Sequence, residues 1–251
     1  MLICTIHHLA GSGGKIICKC LASIKGVVLL SEVNPLNKFA TSLTPSAPFA
    51  EFASRYGSHI SQEDMIKSFN SQLDQIVNIC RNQQLNLILR DHTYYDFFSE
   101  NDVQPKASLR KEVSKKYDVI SAITIRHPLD NYMSHKLQSR QYGDYVETLD
   151  EYCLRYLTFL DYYPGVMRFK YEDFCLDPAK TMVRICDHYG LAFCNEDNKN
   201  FKDSKLSGDS GRTNLKTIEK LNSRVISAEL DVESRESYNY KKLLNILDYK
   251  R

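Results

Sequence analysis

The chain has 251 residues, 43% of them hydrophobic and 25% charged, with a formal net charge of +2. That composition supports one sizeable core, read as a single domain over 1–251, and excludes both a disordered chain and a broad nucleic-acid-binding surface. Basic function must then be local, so the partners expected are small ligands rather than nucleic acid.

Leu2–His8 is a short, β-branched, apolar run that stops at Gly11-Ser12-Gly13-Gly14, which reads as a strand entering a glycine loop rather than as a signal peptide. Lys15–Ile24 places Ile16, Ile17, Cys20, Leu21 and Ile24 at helical spacing. Gly26–Leu30 is a second buried strand that delivers Ser31-Glu32 at its end. Residues 34–60, with Pro35, Pro45 and Pro48, form an irregular excursion of the kind that often faces a substrate.

Gln62–Asn82 is predicted as a helix, Leu85–Leu89 as a third strand ending at Arg90-Asp91-His92, and Val119–Ile125 as a fourth strand ending at Arg126-His127-Pro128. A charged stretch, Lys106–Lys116, separates the last two. Helices are expected over Leu129–Gln141 and Tyr145–Tyr162, a fifth strand over Val166–Tyr171, and a helix from Asp177-Pro178 through His188, closed by Gly190. After a polar tail from 195 to 214, short helical patterns cover roughly 215–228 and 235–249. Strands alternating with helices predict an α/β fold, a mostly parallel sheet flanked by helices. No apolar run is long enough to span a bilayer. Eight cysteines without a CxxC pair or zinc-finger His spacing read as reduced, mostly buried thiols, with no metal site, and a cytoplasmic protein is expected.

Backbone amides of a glycine loop at a helix N-terminus point outward unpaired, and the helix dipole adds positive charge, so Ala10–Lys15 is suited to hold a phosphate. Ile16 stands where a nucleoside-triphosphate P-loop carries its magnesium-binding hydroxyl, which argues against a kinase-like reading. Arg126 ends a strand and Ser134 lies two helical turns on, so the two can share the carboxyl edge of the sheet, where open α/β sheets bind ligands. Arginine brings a forked donor for phosphate and serine a neutral one.

The ordered set of glycine loop, Arg126 with Ser134 eight residues later, and Tyr171-Glu172-Asp173 with Pro178 resembles the PAPS-dependent sulfotransferase family, a P-loop sulfotransferase fold. The resemblance implies transfer of a sulfuryl group from PAPS to a hydroxyl or amine of a small-molecule, carbohydrate or peptide acceptor, leaving PAP. It assigns the 5′-phosphosulfate to Gly11, Ser12, Gly13, Gly14 and Lys15, the 3′-phosphate to Arg126 and Ser134, and the adenine side to Tyr171. Ser207–Arg212 resembles the family's later loop, with Arg212 as a further 3′-phosphate ligand. His92 is the first candidate base, similar in position to the histidine of the family's small-molecule branch, and Glu32, at the end of the strand after the loop, is the second. His7 and His8 are expected to pack or line rather than catalyse. The family's loop lysine is missing from Ala10-Gly11-Ser12-Gly13; Lys15 is expected to supply its charge, with Lys19 more remote. Two rival readings are a kinase-like P-loop protein and a nucleotide-binding homologue that has lost activity.

Overall fold

Five strands, β1 (Ile3–His7), β2 (Val27–Val33), β3 (Asn86–Asp91), β4 (Val119–Ile125) and β5 (Met167–Lys170), form one sheet in the order β2-β3-β1-β4-β5. Every pairing is parallel; Ile3 faces Leu87 on one side and Val119 on the other. The structure is a computed structural model and describes residues 1–36, 60–98, 108–139, 146–194, 206, 218 and 225–251. Parallel strands need crossover connections, and the helices that make them cover both faces.

Ten helices are described: α1 (Gly14–Ala22), α2 (Gln62–Asn82), α3 (Thr93–Phe97), α4 (Ser108–Val113), α5 (Pro128–Ser139), α6 (Leu149–Asp161), α7 (Tyr171–Leu176), α8 (Pro178–Tyr189), α9 (Ala228–Glu236) and α10 (Tyr238–Leu247). Their ends follow local chemistry. Ser61 and Asp64 close a capping box at the start of α2, and Met65, Phe69, Leu73, Val77 and Cys80 give it one buried stripe. Asp177 caps α8 through the Lys180 amide, Pro178 fills its first turn, and Gly190, at φ 68°, ends it in the left-handed region.

Period-two alternation sorts the strands between faces. Cys4, Ile6, Ile88 and Ala122 pack under α1, α7 and α8. Ile3, Leu87 and Leu89 meet α2 and α4 on the other face, and Ile123 and Ile125 meet α6 and α10 beside them. Between these two apolar clusters runs a buried polar column. Ser121 and Thr5 share a hydrogen bond of 2.8 Å, Thr5 meets His7 Nε2 at 2.9 Å, and His7 Nδ1 meets Asp91 at 2.6 Å. Tyr163 donates to the same Asp91 oxygen at 3.1 Å.

Several expected boundaries move. Tyr171 does not end a strand; it opens α7, because β5 stops at Lys170 and the chain turns into the helix there. The charged stretch before β4 contains α4, whose Leu109 and Val113 are buried. The helix expected from Tyr145 starts only at Leu149, where Thr148 accepts a hydrogen bond from the Glu151 amide. Near the C-terminus, Ser237 caps α10 through Tyr240 and separates it from α9, so residues 229–234 are helical where the sequence pattern suggested a break. Seven of the eight free cysteines are buried; Cys194 is exposed.

Candidate active site

All five strands run parallel, so their carboxyl ends share one edge, and each delivers a residue singled out by the sequence. In sheet order these are Glu32 on β2, His92 after β3, the glycine loop after β1, Arg126 after β4 and Tyr171 after β5. Strands lie about 4.8 Å apart, so the row spans roughly 19 Å, the reach of a nucleotide with an acceptor beside it.

The glycine loop is tightly walled. Gly11 and Gly13 sit at φ 84° and 79°, and Gly13 caps α1 with no side-chain hydrogen bond of its own. A Cβ on Gly11 would stand 2.8 Å from Ser134 Cβ and 2.9 Å from Asn131 Oδ1; one on Gly13 would enter the Tyr171 ring, and one on Gly14 the His8 ring. The structure thus brings the loop against Ser134 and Tyr171. Arg126 joins them: its Nη1 donates to Gly11 O at 2.9 Å, and its guanidinium lies 5.0 Å from the Tyr171 ring centre. Burial, with a hydrogen bond to Cys175 adding to it, holds the Tyr171 phenol well above its ordinary range, so it is a neutral donor.

Buried polar atoms without partners gather here. Among the described residues, His8 Nδ1, Ser12 Oγ and both amide atoms of Asn131 have none, although buried polar groups in folded proteins are almost always paired. Burial first, and then the Arg90, His7 and Lys15 charges, hold His8 well below its ordinary value, so its ring is neutral. Arg90 Nε donates to His8 Nε2 at 3.1 Å. An arginine only donates, so the single ring proton is on Nδ1, an orphan donor beside the first turn of α1. Lys15 lies in that turn, and Lys19 is buried in the last turn of α1.

At the other end of the edge, the two candidate bases lie in contact. Glu32 Oε1 is 2.5 Å from Arg90 Nη2, and Glu32 Oε2 is 3.2 Å from His92 Nε2. Arg90 also binds Ser31. The register of β2 shifts between Leu30 and Val33, and Glu32 takes a φ of 58°; this bulge turns Ser31 and Glu32 together toward Arg90. Glu32 and His92 are 18% and 29% exposed, the least covered members of the cluster.

Arg212 lies outside the described residues, as does most of the 34–60 excursion. Phe97 and Phe98 are core residues, packed in one cluster with Tyr152, Tyr156 and Tyr163. His7 and His8 are buried, one in the polar column and one under the loop. Sequence reading missed Arg90 and Asn131 as site residues. Asn131 precedes Ser134 by three positions, which puts both on one face of α5, and that spacing was the available signal. Among the described residues, no group of three or more His, Cys, Asp or Glu is placed to hold a metal ion, and no helix is long and apolar enough to cross a membrane.

No family model matches the sequence, and no curated protein matches it. Solved structures do. The sulfotransferase domain of the Synechococcus PCC 7002 olefin synthase superposes with a TM-score of 0.57 at 16% identity, over 100% of this chain and 96% of that one. A sulfotransferase from Alicyclobacillus acidocaldarius gives 0.54 at 13% identity, over 100% and 97%. A mouse sulfotransferase complexed with PAP gives 0.52 at 11% identity, over 96% and 88%. The chain has the sulfotransferase fold: a five-stranded parallel sheet flanked by helices, with a glycine loop after its first strand.

Proposed function

We propose that the chain, acting as one unit over 1–251, is a PAPS-dependent sulfotransferase with a small-molecule, carbohydrate or peptide acceptor. The observation that carries this reading is the convergence of Arg126, Ser134 and Tyr171 on a glycine loop whose surroundings hold unpaired buried donors. Such a site fits an anion at the helix N-terminus and a second phosphate beside a guanidinium. The PAP-bound mouse neighbour supports the same donor.

When bound, PAPS supplies a sulfuryl group already attached to a good leaving group. Gly11, Ser12, Gly13 and Gly14 would hold the 5′ end, Arg126 and Ser134 the 3′-phosphate, and Tyr171 the adenine side, with Arg212 a further ligand in the later loop. His92 takes the acceptor's proton as its oxygen attacks sulfur. Glu32, 3.2 Å from His92 Nε2, then stabilises the imidazolium that forms. Lys15 supplies positive charge toward the leaving oxygen. The loop lysine of the family has no room at Gly11: a side chain there would meet Ser134 and Asn131 at a backbone φ of 84°. That supports Lys15 as its replacement rather than loss of activity. Seven buried free thiols are what a reducing compartment permits, which favours the cytoplasm.

Isothermal titration with PAP tests the reading. Wild type is expected to bind, and Arg126→Ala to bind about 100-fold more weakly, as the loss of charge-assisted hydrogen bonds of about 1.5–3 kcal/mol requires. A wild-type chain indifferent to PAP would end it.

A further inference from the structure

Asn131 is fully buried on α5, and neither its Nδ2 nor its Oδ1 has a hydrogen-bond partner among the described residues. Leaving a carboxamide in that state is costly, and a group that comes to pair with it recovers that cost. Its neighbour is informative. Oδ1 lies 2.9 Å from the place a Gly11 Cβ would occupy, beside Ser134 Oγ, and the Gly11 carbonyl is held on its other side by Arg126 Nη1 at 2.9 Å.

One of the five N–H donors of Arg126 is given to the Gly11 carbonyl. If a 3′-phosphate draws the guanidinium toward itself and away from the loop, the half-buried Gly11 carbonyl loses that donor and needs another. Asn131 brings an unspent amide within reach, and at a glycine with positive φ the peptide can turn.

We propose that Asn131 is a positioning residue of the donor site. It receives the Gly11 peptide when the 3′-phosphate claims Arg126, and so contributes to the preference for a 3′-phosphorylated nucleotide. The inference rests on the donor reading above and adds a residue that reading does not use. It makes an unusual pair of demands on one substitution. Asn131→Leu replaces an unpaired buried amide by an apolar group of similar size, so the ligand-free protein becomes more stable while its nucleotide discrimination falls.

The test measures melting temperature without ligand and, by titration, affinity for PAP and for AMP, which lacks the 3′-phosphate. Expected for Asn131→Leu are a melting temperature higher by roughly 2–4 °C and a PAP-to-AMP affinity ratio narrowed by about tenfold or more, with AMP binding unchanged. Asn131→Ala, which does not crowd the site, is expected to narrow the ratio in the same way. A ratio that stays at the wild-type value in both variants overturns the assignment, and so does an equal loss for the two nucleotides. A wild type with no preference for PAP over AMP overturns the donor reading itself, and this inference with it.

Discussion

The two halves of the carboxyl edge are built on opposite principles. Toward β4 and β5, the glycine loop, Arg126, Ser134 and Tyr171 crowd together around polar atoms that have no partners among the described residues: Ser12 Oγ, the Asn131 amide and, under the loop, His8 Nδ1. Toward β3 and β2, charge meets charge inside the protein, with Glu32 engaged by both Arg90 and His92. An anion site works best with donors held unspent, because the incoming phosphate then loses nothing to competing bonds. A proton acceptor needs the reverse: its orientation and charge must be settled beforehand by neighbours that persist through the reaction. Arg90 and His8 join the halves, since Arg90 binds Glu32 and His8 and the His8 ring lies against Gly14.

That division can be broken experimentally, and the largest effect should come from the acceptor half. His92→Ala is expected to lower kcat by about 10³-fold in any acceptor assay in which the wild type turns over, with PAP affinity unchanged within twofold. A parallel loss of PAP binding would mean that the halves are not separate. From the donor half, Gly13→Ala places a methyl group in the Tyr171 ring at a φ of 79°. PAP affinity should fall by about 5- to 30-fold, because the free loop relieves about 1–2 kcal/mol of left-handed strain by leaving its binding conformation, and Tyr171 must also shift. Far-UV circular dichroism is expected to stay unchanged, and normal PAP binding in this variant would remove Tyr171 from the loop wall.

The smallest effect concerns the junction. Burial holds His8 neutral in the folded protein, whereas in the unfolded chain it titrates near its ordinary value. Between the two values the unfolded chain binds a proton that the folded one does not, so stability rises with pH. This contribution is intact above about pH 6.5 and is lost as pH falls below it, at up to about 1.4 kcal/mol per pH unit. Denaturant titrations at pH 7.5 and 5.5 should show the loss, and His8→Gln, which can still accept from Arg90, should flatten it. An equally steep decline in that variant would place the pH sensitivity elsewhere.

Most of the fold was legible where a strand's apolar run met a glycine, proline or capping residue, as at Ser12-Gly13 and Asp177-Pro178. Helix α4 was not legible, because its six residues carry only two buried apolar side chains among charges and their pattern is too short to show a period. Tyr171 was placed on the wrong element for a related reason: β5 passes into α7 without a turn residue between them. In the site, Arg126 and Ser134 announced themselves by spacing along one chain segment. Arg90 and Asn131 did not, because their importance comes from partners 58 and 120 residues away in sequence, Glu32 and Gly11.

The order of residues alone determined the alternation of strands and helices, the glycine loop that opens α1, and which side chains leave the strands at their carboxyl ends. Those are local matters, set by backbone propensity and periodicity within one element and its neighbour. Only the folded sheet decided that Glu32 and His92 lie in contact, that a side chain on Gly11 would meet Ser134 and Asn131, and that the Asn131 amide lies beside the loop. Each of these depends on which strands lie side by side and on a bulge of one residue, and contacts across a sheet are fixed by packing between segments that the chain itself keeps far apart.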